Sequence, residues 1–433
     1  MKNMIWLLLL PVFFSGAAAD ESVLTFEEAL ALAMERNPRI AAARNDAEIA
    51  GNNAHVGNAG LLPRLDFTGS ANYNRNDPPS APETETSSTS ARLNASYTLF
   101  NGLGNIYSYK LLKSEEKIGH LSARQQIESI ILQVSNAYYG AAETFENLRV
   151  SRELLDISRE RLERVRSRTD FGRGGTVDLL AARVDYNTDT VTVVRAQFAW
   201  EEAMRNLNSL LNRELDRQFE VDPEVELTEL KPLESMRDIA FERNSSYRQA
   251  AESVQLASLG QKITRSSFMP RLDLSTSYGW DRYSDGVDFN LNDPTVGWGF
   301  QATLSLNIFN GFQRWTDSKN AAIEVRSRRL MKDQARLELD RELANAYKSY
   351  HNSRTILDLE RKNLESARVN FQRTSDLYDL GQVTSTQFRE AQLNLTRAET
   401  SVISATYRAK LDEIELLRIT GELVRSIDYY PER

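Results

Sequence analysis

The sequence of 433 residues lacks the groups on which many metal and redox sites are built, since it has no cysteine and only three histidines. Without cysteine there is no disulfide bond, no thiolate metal site and no lipid attached to a cysteine of this sequence. His55, His120 and His351 are isolated from one another, whereas metal ligands occur in clusters. The sequence therefore predicts no metal site.

Catalytic motifs are also missing. Neither H-E-x-x-H nor G-x-S-x-G occurs. The G-R-G-G stretch at 172–175 lacks the Lys-Ser/Thr pair of a phosphate-binding loop. We expect a protein that is not an enzyme and that needs no cofactor.

An excess of positive charge is absent as well. Lys and Arg number 53 against 61 Asp and Glu, which gives a formal net charge of -8. Proteins that bind nucleic acid need a concentrated basic face. Nucleic acid is therefore not an expected partner.

Long apolar runs are missing after the N-terminus, which itself has the layout of a secretory signal peptide. Lys2 precedes an apolar run from Ile5 to Phe14, and small residues end at Ala19. The run is shorter than the roughly 20 residues of a membrane-spanning helix, which favours a cleaved signal at 1–19 over an anchor. An exported chain without such a helix could cross a membrane only as a closed β-barrel, because all backbone groups in lipid must be paired.

The chain contains an internal duplication. Pro63 in L-P-R-L-D-F matches Pro270 in M-P-R-L-D-L at a shift of 207 positions, and Phe100 matches Phe309, both in F-N-G, at a shift of 209. A period this long indicates a duplicated half-protein rather than a solenoid. We expect two structural repeats at 20–226 and 227–421, followed by a tail at 422–433.

Each half contains two stretches in which apolar and polar residues alternate, as in a β-strand. The predicted strands are about 65–73 and 92–100 in the first half, and 272–280 and 298–308 in the second. The polar connections, Asn74–Ser90 and Asp281–Val296, are expected to be loops. Two hairpins of a soluble sandwich would show the same alternation. Four strands are too few to close a membrane barrel, whose smallest members have about eight, so three copies contributing twelve strands are the expected solution.

The remaining sequence predicts helices too long for a globular domain. No Gly or Pro occurs from Phe312 to Leu380, which allows a helix of about 100 Å. Each repeat should form one long hairpin, at about 104–212 and 312–420, with turns near Gly172 and Gly381. Apolar residues recur every seven positions and predict coiled-coil seams. These are Leu343, Tyr350, Leu357, Leu364, Phe371 and Tyr378 in one helix, and Val177, Val184, Val191 and Phe198 in another.

The charged residues of these helices, such as the run Arg159–Arg168, are most simply a solvated face with i to i+4 pairs. The apolar seams are narrow, and such helices have no core of their own. They are expected to pack side by side in an assembly.

The sequence combines a signal peptide, the L-T-F-E-E-A-L-A-L-A opening at Leu24, two P-R-L-D strand entries, two F-N-G turns and a duplicated plan. In this combination it resembles the TolC family of outer membrane efflux proteins. The resemblance implies an α+β membrane protein, a homotrimer whose 12-stranded β-barrel in outer-membrane lipid continues into an α-barrel of long antiparallel coiled-coil helices across the periplasm. It implies a passive exit duct for efflux or type I secretion. The implied partners are a periplasmic adaptor (membrane fusion protein) and an inner-membrane pump or ABC transporter.

The same resemblance implies a gate and a docking surface at the hairpin turns. Asp178 and Tyr378 match the residues whose link closes the family's tunnel, and Gln387 and Glu390 match two constriction aspartates. Val383 stands where the family has an arginine in a second link. The adaptor would dock at the tips, Gly172, Gly174 and Gly175 in one hairpin and Gly381, Gln382, Val383 and Thr384 in the other. Asp178 also has a simpler interpretation as an acid that complements a helix N-terminus, and Glu390 as a solvated charge.

Two alternatives to a duct remain open from the residues alone. A periplasmic adaptor also has long helical hairpins, but normally one hairpin with a β-sandwich rather than two hairpins with four membrane-type strands. A periplasmic coiled-coil scaffold without a channel would not need the alternating strands with aromatic ends.

Overall fold

The computed structural model describes residues 23–80, 82–171, 175–289 and 291–423. The predicted signal peptide at 1–19, Gly172, Gly174 and most of the predicted tail lie outside these residues. The helices are α1 (Phe26–Arg36), α2 (Pro38–Asn53), α3 (Gly104–Asp170), α4 (Thr176–Leu210), α5 (Leu233–Arg243), α6 (Ser245–Ser266), α7 (Gln313–Asp379) and α8 (Ser385–Thr420). The strands are β1 (Arg64–Asn76), β2 (Thr84–Asn101), β3 (Arg271–Asp285) and β4 (Thr295–Ser305).

The length of α7 follows from the absence of helix breakers. α7 runs for 67 residues without glycine or proline and stops two residues before Gly381, which has a positive φ of 73°. Leu343, Tyr350, Leu357 and Tyr378 of the predicted seven-residue seam are buried. None of the described helices is both long and apolar enough to cross a membrane.

The four strands form one antiparallel sheet in the order β1-β2-β3-β4. Because side chains alternate, the sheet has two unlike faces. One face is apolar and aromatic: Leu65, Phe67, Tyr73, Leu93, Tyr97, Leu274, Tyr278, Trp280, Trp298, Phe300 and Leu304. Most of this apolar face is exposed within the chain, and Trp298 is 77% exposed.

The strand bounds differ from those predicted. β2 begins at Thr84 and β3 continues to Asp285, so the predicted loops are partly strand. Residues 84–90, which are mostly Ser and Thr, extend β2 by pairing with residues 70–76 of β1. Their polarity had suggested a loop instead. β4 covers Thr295–Ser305 instead of 298–308 because Ser305 pairs with Arg271, the first residue of β3 after Pro270. Residues 306–308 therefore have no β3 partner.

The chain forms two compact units, and each draws segments from both sequence repeats. Unit 1 contains 23–37, Gln133–Leu227 and Ser353–Leu411, and its centre includes the contacting rings of Phe26, Tyr138, Tyr139 and Tyr407. Unit 2 contains Pro38–Leu132, Thr228–Asn352 and 412–423, and a buried helical core in it is formed by Met236, Ala240, Leu339, Leu343, Leu416 and Ile419.

The duplication is visible in one buried contact that occurs once in each unit. In unit 1, the side-chain amide of Asn37 donates to the carbonyl of Leu210 at 2.8 Å, at the end of α4. In unit 2, Asn244 donates in the same way to Ile419 at 3.0 Å, close to the end of α8. Both asparagines thus satisfy a carbonyl that a helix end leaves without a partner.

The two F-N-G turns also have the same backbone conformation. Gly102 and Gly311 have φ values of 65° and 66°, and the next residues, Leu103 and Phe312, have φ values of 67° and 65°. A left-handed glycine followed by a left-handed bulky residue is uncommon. It leads from β2 into α3 and from the segment after β4 into α7.

Candidate functional site

The turn of the second hairpin is closed by hydrogen bonds that only a left-handed residue permits. The Gly381 amide donates to the carbonyl of Tyr378 at 3.0 Å, and the Gln382 amide donates to that of Leu377 at 2.8 Å. Gly381 takes the required positive φ at no side-chain cost. This turn ends α7 and leaves room for α8 to begin at Ser385.

Thr384 and Gln387 form a reciprocal cap at the start of α8. The backbone amide of Gln387 donates to Thr384 Oγ1 at 3.2 Å, and the side-chain oxygen Oε1 of Gln387 accepts from the backbone amide of Thr384 at 2.9 Å. This is the arrangement of a capping box. One of the two residues predicted to line a constriction therefore has a local structural role.

Tyr378 is buried against the start of α8. Its ring stacks on that of Phe388 with centroids 4.7 Å apart, and the Arg168 guanidinium lies 5.6 Å from its centroid. Asp178 is exposed in the first turn of α4, whose N-cap Gly175 offers no side-chain cap. In the described part of the chain, no hydrogen bond joins Asp178 to the Tyr378 hydroxyl.

The other predicted site residues line the same helix start. Glu390 is exposed and forms no ion pair with any described residue, while Val383 is half-buried in the turn. Gly381 and Gln382 are exposed. The structure thus presents Glu390 to the surroundings of the chain rather than to its interior.

A buried polar network that sequence reasoning missed joins α3, α4 and α8 within unit 1. Arg389 of α8 binds both carboxylate oxygens of Asp189 at 2.7 Å, and Asp189 is only 2% exposed. Ser158 of α3 donates to Asp189, and Gln392 donates to the Leu154 carbonyl at 3.2 Å. A bidentate Arg–carboxylate pair fixes both partners in position.

Asp185 extends this network along α4. It accepts from Arg161 of α3 at 2.8 Å and lies 3.8 Å from the Arg389 guanidinium. Arg161 also donates to Ser385 Oγ at 2.7 Å. Arginine and aspartate therefore alternate in the order Arg161, Asp185, Arg389, Asp189.

The network corrects the expectation that the charges at Arg159–Arg168 are uniformly solvated, since Arg161 is buried. The sequence contained a signal for this. Asp189 lies seven residues after the buried Ala182, so a carboxylate occupies a seam position. A polar residue at a seam position commonly fixes helix register and demands a partner.

No group of three or more His, Asp or Glu side chains among the described residues could hold a metal ion. The arrangement of caps, stacked rings and paired charges fixes the ends of two helical hairpins. These contacts hold the helices in place.

Comparison with known proteins gives one family model, described as outer membrane efflux protein, that matches residues 29–213 and 237–422. The two matches cover the two sequence repeats.

Two curated relatives are distant in sequence. The alkaline protease secretion protein AprF of Pseudomonas aeruginosa is 23% identical over 305 residues, which is 67% of this chain and 62% of AprF. The chain thus spans less than two thirds of AprF. The outer membrane protein TolC of Escherichia coli is 20% identical over 435 residues, covering 96% of this chain and 86% of TolC.

A solved structure shares the fold. The Campylobacter jejuni CmeC outer membrane channel superposes with a TM-score of 0.79 at 16% identity, over 92% of this chain and 86% of CmeC. At an identity this low, the similarity shows only that the two proteins have the same fold.

Proposed function

Because this chain belongs to the family of outer membrane efflux proteins, an outer-membrane family of channels and not of enzymes, we propose that it works as the passive exit duct of an efflux or type I secretion system. The observation that carries the proposal is the sheet with one polar and one apolar face, together with helical hairpins that repeat in each half. AprF is named for the secretion of a protease and the family for efflux, so both uses are compatible with this relationship.

Three copies are proposed to build the duct. β1 and β4 are the two edges of the sheet, and a long free edge is a template for pairing with another chain. Pairing β1 of one copy with β4 of the next would remove all edges. Three sheets of four strands would then give one wall of twelve.

Apolar stripes left uncovered by the chain support the same assembly. Val177, Val184, Val191 and Phe198 of α4 are between 50% and 79% exposed. On α7, Ile323, Leu330 and Leu337 also recur every seven residues and are exposed. Stripes of this period bind a neighbouring helix, so a second copy is the proposed cover.

The hairpin turns are proposed as gate and docking surface. The Tyr378 ring is fixed by Phe388, and its hydroxyl makes no hydrogen bond to a described residue, which leaves it able to pair with Asp178 in the assembled channel. Three exposed Glu390 side chains brought together would favour cations at the entrance. The turns at Gly175 and at Gly381–Thr384 are proposed to contact the periplasmic adaptor, which links the duct to the inner-membrane transporter.

Single-channel recording in planar bilayers tests this proposal. The purified protein should insert and conduct in steps of uniform size. Asp178→Ala with Tyr378→Phe should raise the conductance, because the proposed link is lost while the aromatic stacking is kept. Asp170→Ala removes an exposed acid near the same hairpin end and should leave the conductance unchanged. Conductance steps that are identical in all three proteins would count against the gate, and absence of conductance against the duct.

A further inference from the structure

Most residues on the polar face of the sheet are small and uncharged, and the one aromatic side chain among them is Tyr283 of β3. Residues 66–76 of β1, 84–98 of β2, 273–285 of β3 and 295–303 of β4 place Ser, Thr, Asn, Gln and Gly on this face at alternate positions. Cross-strand hydrogen bonds run along it, such as Ser70 to Ser90 at 2.8 Å and Asn94 to Thr68 at 3.0 Å. Such a face is suited to contact with water and passing solutes.

Every arginine on this face is matched by an aspartate. Near the starts of β1 and β3, Arg64 pairs with Asp66 at 2.8 Å and Arg271 pairs with Asp273 at 2.7 Å. In the middle of β2, Arg92 pairs across the strands with Asp281 of β3. Asp285, the last residue of β3, is the one charge on this face that forms no ion pair with a described residue.

The Arg92–Asp281 pair is accessible from one side. The two side chains are 48% and 49% exposed and border a depression of about 300 Å³, which Ser277, Thr295, Gly297 and Gly299 also line. A solute that moves along this face would pass both charges. The pair is therefore placed where the balance of charge can act on transport.

Glycine makes this placement possible. Gly279 lies opposite Arg92, and a Cβ added there would come within 2.7 Å of Arg92 Cγ and 2.3 Å of the Ala91 carbonyl oxygen. Any side chain at 279 would push the arginine away from the sheet. Gly279 thus lets the Arg92 side chain lie flat on the strands and reach Asp281.

We propose that Arg92 and Asp281 are the charge-balancing residues of the exit path. Paired, they leave this section of the wall open to solutes of either charge. The inference rests on the proposed duct, in which three copies would place three pairs at one level of the wall. An unpaired charge at 92 or 281 acts on ions within a screening length of about 10 Å at 0.1 M salt, and three of them would make the section charge-selective.

The test is the reversal potential of purified channels in planar bilayers under a KCl gradient. Arg92→Gln leaves three unpaired aspartates and should shift the reversal potential toward cation selectivity. Asp281→Asn leaves three unpaired arginines and should shift it in the opposite direction. The double variant should return to the wild-type value, and the charge-conserving variants Arg92→Lys and Asp281→Glu should remain there.

A second route keeps both charged residues and adds a charge only after the channel has inserted. Because the chain has no cysteine, Ser277→Cys introduces a unique thiol into the depression. Modifying the inserted channel with a positive or a negative methanethiosulfonate reagent should shift the reversal potential in opposite directions.

The inference is overturned if the single variants leave the reversal potential unchanged or shift it in the same direction. It is also overturned if the two reagents do not shift the reversal potential in opposite directions. These outcomes would leave a conducting wild type and the proposed duct intact. A wild-type protein that inserts without conducting would instead overturn the duct, and the inference with it.

Discussion

Among individual residues, the Arg389–Asp189 pair has the clearest energetic consequence. A buried ion pair adds little net stability compared with apolar residues, but removal of one partner leaves a buried charge alone. Arg389→Ala should therefore lower the free energy of unfolding by about 3–5 kcal/mol. Thermal or denaturant unfolding followed by circular dichroism measures this.

The control is a solvent-exposed ion pair between an arginine and a carboxylate. Arg328 and Glu324 of α7 are 2.7 Å apart, and both are exposed. Arg328→Ala should cost at most about 0.5 kcal/mol. Equal losses from the two variants would show that the Arg389 pair is not the buried anchor described above.

Glu128 of α3 predicts a dependence of stability on pH. Burial raises the pKa of its carboxyl above the ordinary value, although hydrogen bonds from Arg124 and Ser245 oppose the shift. The folded chain then binds this proton more tightly than the unfolded chain. The contribution of Glu128 is complete below the ordinary pKa of 4.5 and is lost as the pH rises through the raised pKa.

Comparison with Glu128→Gln isolates this contribution, because every other carboxyl titrates in both proteins. The melting temperature of wild type relative to the variant should fall as the pH is raised from about 4 to about 7. A difference that stays constant over this range would contradict the raised pKa.

Among the structural elements, the two F-N-G turns form a matched experiment. Gly102 and Gly311 share a left-handed φ, so alanine at either site costs roughly 1–2 kcal/mol of backbone strain. Only at Gly102 would the new Cβ also meet Met269 Cβ and the Ser266 carbonyl, both at 2.6 Å, while nothing lies within 4 Å at Gly311. Gly102→Ala should therefore lower the melting temperature clearly more than Gly311→Ala, and equal shifts would argue against the close packing of the first turn.

The elements also show what local sequence can predict. The seven-residue period of α7 and the alternation in the strands are local patterns, and both predicted the correct type of structure. Strand length was underestimated because pairing with a neighbour, and not polarity, decides where a Ser- and Thr-rich segment ends. The period of Val177 and Val184 predicted a seam, and both side chains are exposed among the described residues.

In the whole molecule, the duplication could be predicted from shifts in the sequence, whereas the compact units could not. Each unit combines both repeats, and its contacts join residues as distant as Asn244 and Ile419. The buried network has the same cause. The spacing of Asp189 from Ala182 marks a polar seam position, but it does not identify the partners, because Arg161, Asp185 and Arg389 belong to three helices that only packing brings together. The residues at the hairpin turns remain predictions from family resemblance.

The central claim is that three copies share one wall, which would pair the free edges β1 and β4 and cover the apolar stripes of α4 and α7. Native mass spectrometry of the protein extracted from outer membranes in mild detergent counts the copies directly. We predict a complex of three chains, reduced to single chains by Val184→Asp with Val191→Asp, which place charge on the α4 stripe. A well-folded wild-type monomer, stable in buffer without detergent, would contradict the account.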